Sequence, residues 1–252
     1  MDLRLDDKVA LITGGSRGIG KAIATEMARS GARVMIVSRK AEALEAAAEE
    51  IGNDCAWMAG NTGDQATAEA AVAATIDRFG RLDILVNNAA TNPYAGPMID
   101  VDIPRWDKTI LVNLTAPLFW TQTAWKQWMR DNGGVVINIS SVGGLSTSPT
   151  IGVYDLTKSA LIHMTEQLGA ELGPGVRINA LCPGLIKTDF ARALWEGPKG
   201  DEVARAYPLG RLGEVEDIAA AAVYLASDAG SWITGQRLVL DGGGKVRFTK
   251  AD

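Results

Sequence analysis

Histidine is nearly absent. The 252-residue chain has one, His163, so a Ser-His-Asp hydrolase would have to use that residue, and a zinc site would be short of ligands. His163 falls nine residues beyond Tyr154 on one predicted helix, where it reads as a packing or surface residue. Cysteine is also scarce. Cys55 and Cys182 lie in apolar, strand-like segments. They point to buried thiols in a reducing compartment and exclude a disulfide framework or a cysteine metal cluster. Asp and Glu are scattered without metal-ligand spacing, so no metal is expected. No apolar run has the length of a membrane span; Ile218 to Ala226 is too short. The start of the chain lacks the positive region and apolar core of a signal peptide, and its end carries no targeting tripeptide. The expected compartment is the cytoplasm. A net charge of −5 leaves no basic field for nucleic acid.

What is present is enough apolar sequence for a sizeable core: 47% hydrophobic against 22% charged residues, an ordinary soluble balance. Seven strands are predicted at Lys8–Thr13, Arg33–Ser38, Ala56–Ala59, Ile84–Asn87, Val135–Ser140, Arg177–Leu181 and Arg237–Leu240. Runs such as Val34-Met35-Ile36-Val37 fit strands covered on both faces. Helices are predicted at Gly18–Ser30, Ala41–Ile51, Gln65–Phe79, Pro104–Arg130, Gly152–Leu172 and Val215–Ala226. This alternation predicts an α/β fold. It is a single doubly wound Rossmann domain over residues 1–252, with a seven-stranded parallel sheet flanked by helices on both faces. The stretch 188–213 interrupts the alternation and reads as a loop over the C-terminal edge of the sheet, a substrate lid.

The first strand runs into Thr13-Gly14-Gly15-Ser16-Arg17-Gly18-Ile19-Gly20, and a helix follows. A strand, a glycine turn and a helix N-terminus make a phosphate cradle, because the missing side chains let a pyrophosphate approach the backbone N–H groups. Gly14, Ser16, Arg17, Gly18, Ile19 and Gly20 are therefore candidate cofactor-binding residues. The second strand ends Val37-Ser38-Arg39-Lys40. A carboxylate there would accept from the ribose hydroxyls of NAD. It is missing, and Arg39 stands in position for a 2′-phosphate, with Ser38 and Arg17 as further donors. Each arginine alone is an ordinary surface charge; two at these positions favour NADP(H).

Tyr154 and Lys158 are four residues apart on one predicted helix, hence on one face. A phenol with a pKa near 10 is a poor acid–base at neutral pH. A neighbouring ammonium and an oxidised nicotinamide would lower that pKa. Lys158 can also donate to the nicotinamide ribose, and Ser141 can donate to a substrate oxygen as charge develops on it.

The glycine spacing, together with Asn113, Ser141, Tyr154 and Lys158 in order and spacing, resembles the short-chain dehydrogenase/reductase family, from about Leu5 to Gly244. Within it the chain is similar to NADPH-dependent carbonyl (retinal) reductases and to bacterial 3-oxoacyl-acyl-carrier-protein reductases. The resemblance implies a catalytic tetrad of those four residues, with Asn113 supporting a water linked to Lys158. It implies an adenine corner at Asn61-Thr62 and a nicotinamide-side loop at Asn88-Ala89-Ala90, where Ala90 departs from the family's glycine. It also implies nicotinamide carboxamide contacts in Cys182-Pro183-Gly184-Leu185-Ile186-Lys187-Thr188, with Pro183, Gly184, Ile186 and Thr188 as the contacts, and C-terminal landmarks at Arg211-Leu212-Gly213-Glu214 and Asp241-Gly242-Gly243. The expected activity is NADP(H)-dependent interconversion of a small-molecule carbonyl and alcohol, with acyl thioesters, retinoids, steroids and small ketones all open as substrates. Phe190, Leu194, Trp195 and Tyr207 would line an apolar lid, and Asn92-Pro93-Tyr94 the opposite wall. No nucleic acid or membrane partner is expected. A homotetramer or homodimer is, with contacts near Trp125, Leu161 and the C-terminal strand. The rival readings are a non-catalytic nucleotide-sensing protein on this fold, an NAD-dependent alcohol dehydrogenase, and a structural oligomer subunit; the complete tetrad favours an enzyme.

Overall fold

The computed structural model describes residues 3–246. Strands β1 (Val9–Thr13), β2 (Arg33–Ser38), β3 (Ala56–Ala59), β4 (Ile84–Asn87), β5 (Gly134–Ile139), β6 (Val176–Pro183) and β7 (Arg237–Leu240) form one sheet, ordered β3-β2-β1-β4-β5-β6-β7. Every pairing is parallel. Every residue of β1 and β4 is buried, as their unbroken apolar runs require. The edges differ. β3 alternates, leaving Trp57 exposed, and β7 exposes Leu238 and Val239. β6 is longer at both ends than predicted.

Helices α1 (Gly18–Arg29) and α2 (Ala41–Ile51) cover one face of the sheet, and α3 (Gln65–Phe79) the other. The first apolar layer takes Ile23 and Met27 from α1, Leu44 from α2, and Ile218 and Val223 from a later helix. The second takes Val72 and Phe79 from α3 with Phe119 and Trp120. Those two aromatics belong to α4, a long helix over 103–132. It starts at the Asp102 cap, which accepts from Arg105 N–H at 2.8 Å, and stops at Gly133 with φ +75°. Two π turns interrupt it, Leu111–Thr115 and Trp125–Met129. α5 (Gly152–Glu171) follows β5. It buries Leu161, which is thus unavailable as a subunit contact, and exposes Leu156 and His163.

The segment 188–213 is more ordered than the loop its Gly and Pro content predicts. After a 3₁₀ turn at Asp189–Ala191 come α6 (Arg192–Trp195) and α7 (Pro198–Ala206). Gly197 has φ +83°, and Pro198 opens α7, so these residues punctuate helices. α8 (Val215–Ala226) closes the first layer through a Glu214–Asp217 capping box.

The strand order reverses direction between β1 and β4. Their following loops diverge there and leave a crevice at the C-terminal edge of the sheet.

Candidate active site

The glycine turn lies in that crevice. Gly14 and Gly18 have φ +68° and +55°, a region that costs glycine nothing. A Cβ on Gly14 would stand 2.9 Å from the Asn88 amide nitrogen, and one on Gly20 would collide with the same atom. Asn88 is thus wedged into the turn. Its Nδ2 donates to the carbonyls of Thr13 at 2.9 Å and Gly14 at 3.2 Å. Thr13 Oγ1 in return accepts from the N–H groups of Asn88 (3.0 Å) and Ala89 (3.1 Å). The side chain expected to face a cofactor is spent on shaping the cradle. Around Gly18 there is room for a Cβ in ordinary contact with Thr188 Cγ2 at 3.6 Å.

The N-terminus of α1 has no cap of its own. Arg17 is extended at the N-cap with no side-chain hydrogen bond, and the first turn holds no acidic residue. Free N–H groups and the helix dipole there fit an anion. Ser16 and Ile19 are half-buried beside it, and Arg17 is exposed, close enough to Asp189 to lower that carboxyl's pKa, though chiefly Arg192 does so. At the end of β2, Ser38 is half-buried and Arg39 exposed. Among the described residues Arg39 has no ion-pair partner. The cradle and its surroundings therefore fit a dinucleotide.

The corner after β3, expected to hold the adenine, is built from turn-formers. Asn61 accepts from Gly63 N–H at 3.1 Å and donates to Asp64 at 3.1 Å, an Asx turn. The Thr62 carbonyl accepts from Trp120 Nε1 at 2.9 Å. Trp120 is accordingly a core residue that also sets this corner.

Ser141, Tyr154 and Lys158 come together beyond the end of β5. Tyr154 is hydrogen-bonded to Ser141, and Ser141 Oγ accepts from Gly143 N–H at 3.0 Å. Burial pushes the Tyr154 phenol up to about 12; the Ser141 bond lowers it and the Asp155 charge raises it further. The Lys158 ammonium is buried and donates to the Ile139 carbonyl at 2.7 Å. Burial pulls it down to about 8. Desolvation dominates both groups, and at the phenol it is the Ser141 bond that opposes it. Phe190 of the 188–213 segment brings its ring centroid within 6.2 Å of Tyr154. Trp195 folds the 188–213 segment back by donating to the Thr188 carbonyl at 2.8 Å. Leu194 is exposed, and the Tyr207 hydroxyl accepts from Leu185 N–H at 3.4 Å.

Asn113 sits on the first π turn of α4, where local widening is common at functional sites. Both its amide hydrogens are occupied, and Oδ1 accepts one bond. It exchanges two bonds with the Thr91 backbone (2.8 and 2.9 Å) and donates to Thr157 Oγ1 at 3.2 Å. The side chain clamps the loop after β4 to α5 and does not reach Lys158. Pro183 ends β6, and Gly184 lies so close to Asp241 that a Cβ would be 2.9 Å from its Cα. Ile186 is buried and bridges to Gly213.

Sequence reasoning missed the polar pair beneath the site. Asn87 and Asn138 face each other across β4 and β5 and share a 2.9 Å bond. Asn87 also donates to Thr121 (3.1 Å), and Asn138 to Thr165 (2.9 Å). The signal was an amide interrupting each of two apolar strands. The cysteines are free: Cys182 is buried as expected, whereas Cys55 is only half-buried, and burial pushes both thiols up, to about 11 and 12. Among the described residues no cluster of His, Cys, Asp or Glu could hold a metal, and no helix is long and apolar enough to cross a membrane.

A family model described as enoyl-(acyl carrier protein) reductase matches residues 14–245. The chain belongs to the short-chain dehydrogenase/reductase family. A short-chain dehydrogenase/reductase from Mycobacterium ulcerans superimposes with a TM-score of 0.92 at 34% identity, over 97% of this chain and 92% of that one. D-threitol dehydrogenase of Mycolicibacterium smegmatis is 38% identical over 250 residues, 98% of this chain and 96% of the relative. Human dehydrogenase/reductase SDR family member 4 is 38% identical over 249 residues, 97% of this chain and 90% of the relative. The short-chain dehydrogenase/reductase chain is thus an oxidoreductase of a nicotinamide-dependent family.

Proposed function

We propose that this chain is an NADP(H)-dependent oxidoreductase interconverting a small-molecule carbonyl and an alcohol. The observation that carries the reading is the meeting of Ser141, Tyr154 and Lys158 beside an uncapped helix N-terminus. Gly14, Ser16, Gly18, Ile19 and Gly20 would hold the pyrophosphate, and Ser38, Arg39 and Arg17 the 2′-phosphate. Asn61, Thr62, Ala89, Ala90, Pro183, Gly184, Ile186 and Thr188 would line the remainder through backbone and van der Waals contact. The bound nicotinamide supplies or accepts the hydride.

Tyr154 keeps its proton at neutral pH and gives it to the carbonyl oxygen during reduction. Ser141 orients that oxygen and stabilises charge developing on it. Lys158 contributes positive charge next to the phenol and a donor for the ribose. The Asn113 clamp keeps α5 and the loop after β4 in register; any water relay would run through its backbone, since both its amide hydrogens are committed. Phe190 in the lid stands beside Tyr154, and Leu194 and Trp195 would add apolar surface there for the substrate. A dehydrogenase acting on a polyol among the relatives supports a hydroxyl–carbonyl pair. NADPH oxidation followed at 340 nm across a panel of ketones, aldehydes and 3-oxoacyl thioesters tests the reading; binding without turnover of any carbonyl would favour a nucleotide sensor.

The chain would act as one catalytic domain with 188–213 as its lid, in the cytoplasm. Exposed Ile99, Ile103, Leu156, Leu238 and Val239 support a homotetramer or homodimer, read by light scattering at micromolar concentration.

A further inference from the structure

The loop that carries Ser141 is intrinsically loose. It reads Ser-Val-Gly-Gly-Leu-Ser-Thr-Ser over 141–148, and its two glycines carry little preference of their own. Bonds inside the loop shape its turn: Gly144 N–H to the Ser141 carbonyl (3.0 Å) and Ser146 N–H to the Gly143 carbonyl (3.3 Å). Lys245 donates to the Leu145 carbonyl from the C-terminal segment. None of these bonds ties the loop to the helix that carries Tyr154.

Asp155 does. It is the residue after Tyr154, and it is buried, at 5% exposure. Its carboxylate accepts from the hydroxyl and the backbone N–H of Ser148. The other oxygen, Oδ1, is buried with no hydrogen-bond partner among the described residues. It lies against Gly143, where a Cβ would collide with it. Gly143 is in turn the residue whose N–H holds Ser141 Oγ. An unmatched buried carboxylate oxygen carries a desolvation cost, and such an atom in a folded protein calls for a reason.

We propose that Asp155 is a positioning residue: its carboxyl anchors Ser148 and backs Gly143, and so fixes Ser141 at the hydroxyl of Tyr154. The inference rests on the proposed function in that Ser141 and Tyr154 are taken as the substrate-facing pair. In this role Asp155 acts through Ser148 and Gly143.

The test compares Asp155→Ala, Asp155→Asn and Ser148→Ala with wild type. Hydrogen exchange reads residues 141–148, a titration reads NADPH affinity, and steady-state kinetics with the best carbonyl read kcat and KM. One lost hydrogen bond corresponds to about tenfold. Asp155→Ala and Ser148→Ala are expected to speed exchange of the loop amides about tenfold and lower kcat by a similar factor, with NADPH affinity within about twofold. Asp155→Asn keeps the shape and an acceptor oxygen and is expected to restore most of kcat. Unchanged exchange overturns the proposal, as does faster exchange with unchanged kcat. A parallel loss of NADPH affinity without rescue by Asp155→Asn also overturns it, since that outcome marks a general folding contact. If Asp155→Ala does not fold, Ser148→Ala removes the same bond from a half-buried loop position. If wild type binds NADPH but turns over no carbonyl, the functional reading fails, and loop exchange alone decides the anchor.

Discussion

The ammonium of Lys158 lies 5.5 Å from the centre of the Tyr154 ring, and its hydrogen bond goes to the Ile139 carbonyl, not to the phenol. The i, i+4 spacing brings the two side chains together, yet burial moves their proton affinities in opposite directions from what a simple ion–phenol pair would give. At neutral pH the phenol therefore keeps its proton, and the Lys158 ammonium, at about 8, keeps its charge.

Replacing Tyr154 by Phe removes the proton donor and keeps the ring against Phe190. Turnover should fall by about 10²-fold or more, the usual worth of a positioned acid. NADPH affinity should stay within about twofold. Wild-type turnover in Tyr154→Phe, measured on the best substrate, would rule out the phenol as the acid.

Lys158 leaves a signature in stability against pH. Its pKa drops from 10.5 to about 8 on folding, a penalty of about 3 kcal/mol that is full below pH 8. Between pH 8 and 10.5 the unfolded chain binds the extra proton, so stability rises with pH. Tyr154, raised from 10 to about 12, opposes this only above pH 10. The Cys55 and Cys182 thiols, raised from 9 by burial, oppose it above pH 9, so denaturant unfolding should show increasing stability only from pH 8 to about 9. Lys158→Met should flatten that rise and be the more stable protein at pH 7, by about 1–2 kcal/mol after loss of the bond to Ile139. A flat wild-type profile over this window would contradict the burial argument.

Cofactor choice is predicted from β2. Charge-assisted bonds to a phosphate contribute about 1.5–3 kcal/mol each, so one contact is worth roughly 10- to 100-fold in affinity. Wild type should prefer NADPH over NADH by such a factor. Ser38→Asp combined with Arg39→Leu should reverse the preference, by repelling the phosphate and offering the ribose an acceptor. Paired titrations of both nucleotides decide it; equal affinities in wild type would make Arg39 a plain surface charge.

The Asn88 wedge predicts two different failures. Gly20→Ala drives a methyl into the Asn88 amide and stands 2.5 Å from the Gly14 carbonyl, so overpacking of about 1–3 kcal/mol is expected together with weakened nucleotide binding. Asn88→Ala deletes the amide and leaves the Thr13 and Gly14 carbonyls unmatched. It should lower stability by about 1–3 kcal/mol, and added nucleotide should recover part of the loss by mass action. Calorimetry with and without NADPH reads both. An Asn88→Ala protein as stable as wild type would show the wedge to be incidental.

Much of this was legible in one dimension. Strand ends β2, β3, β4 and β7 stand where the apolar runs end, and α2, α3 and α8 match their periodic segments, because burial on a strand or helix repeats along the chain. The place of 188–213 over the sheet edge was read from the break in alternation, but its helices were not legible: Gly197 and Pro198 look like loop residues until Trp195 is seen donating to the Thr188 carbonyl and folding the segment back. Asn113 looked like an awkward mid-helix amide, and only the π turn and the nearby Thr91 backbone explain it.

The sequence by itself determined the order of elements, the glycine turn after β1 and the Tyr154–Lys158 spacing, since each is a property of neighbours along the chain. Tertiary structure alone decided that Asn88 shapes the turn, that Asn87 meets Asn138, that Asp155 backs the Ser141 loop, and that Tyr154 and Lys158 are displaced by burial. Those are contacts between segments far apart in sequence, and desolvation depends on everything packed around a group, which no local pattern of residues encodes.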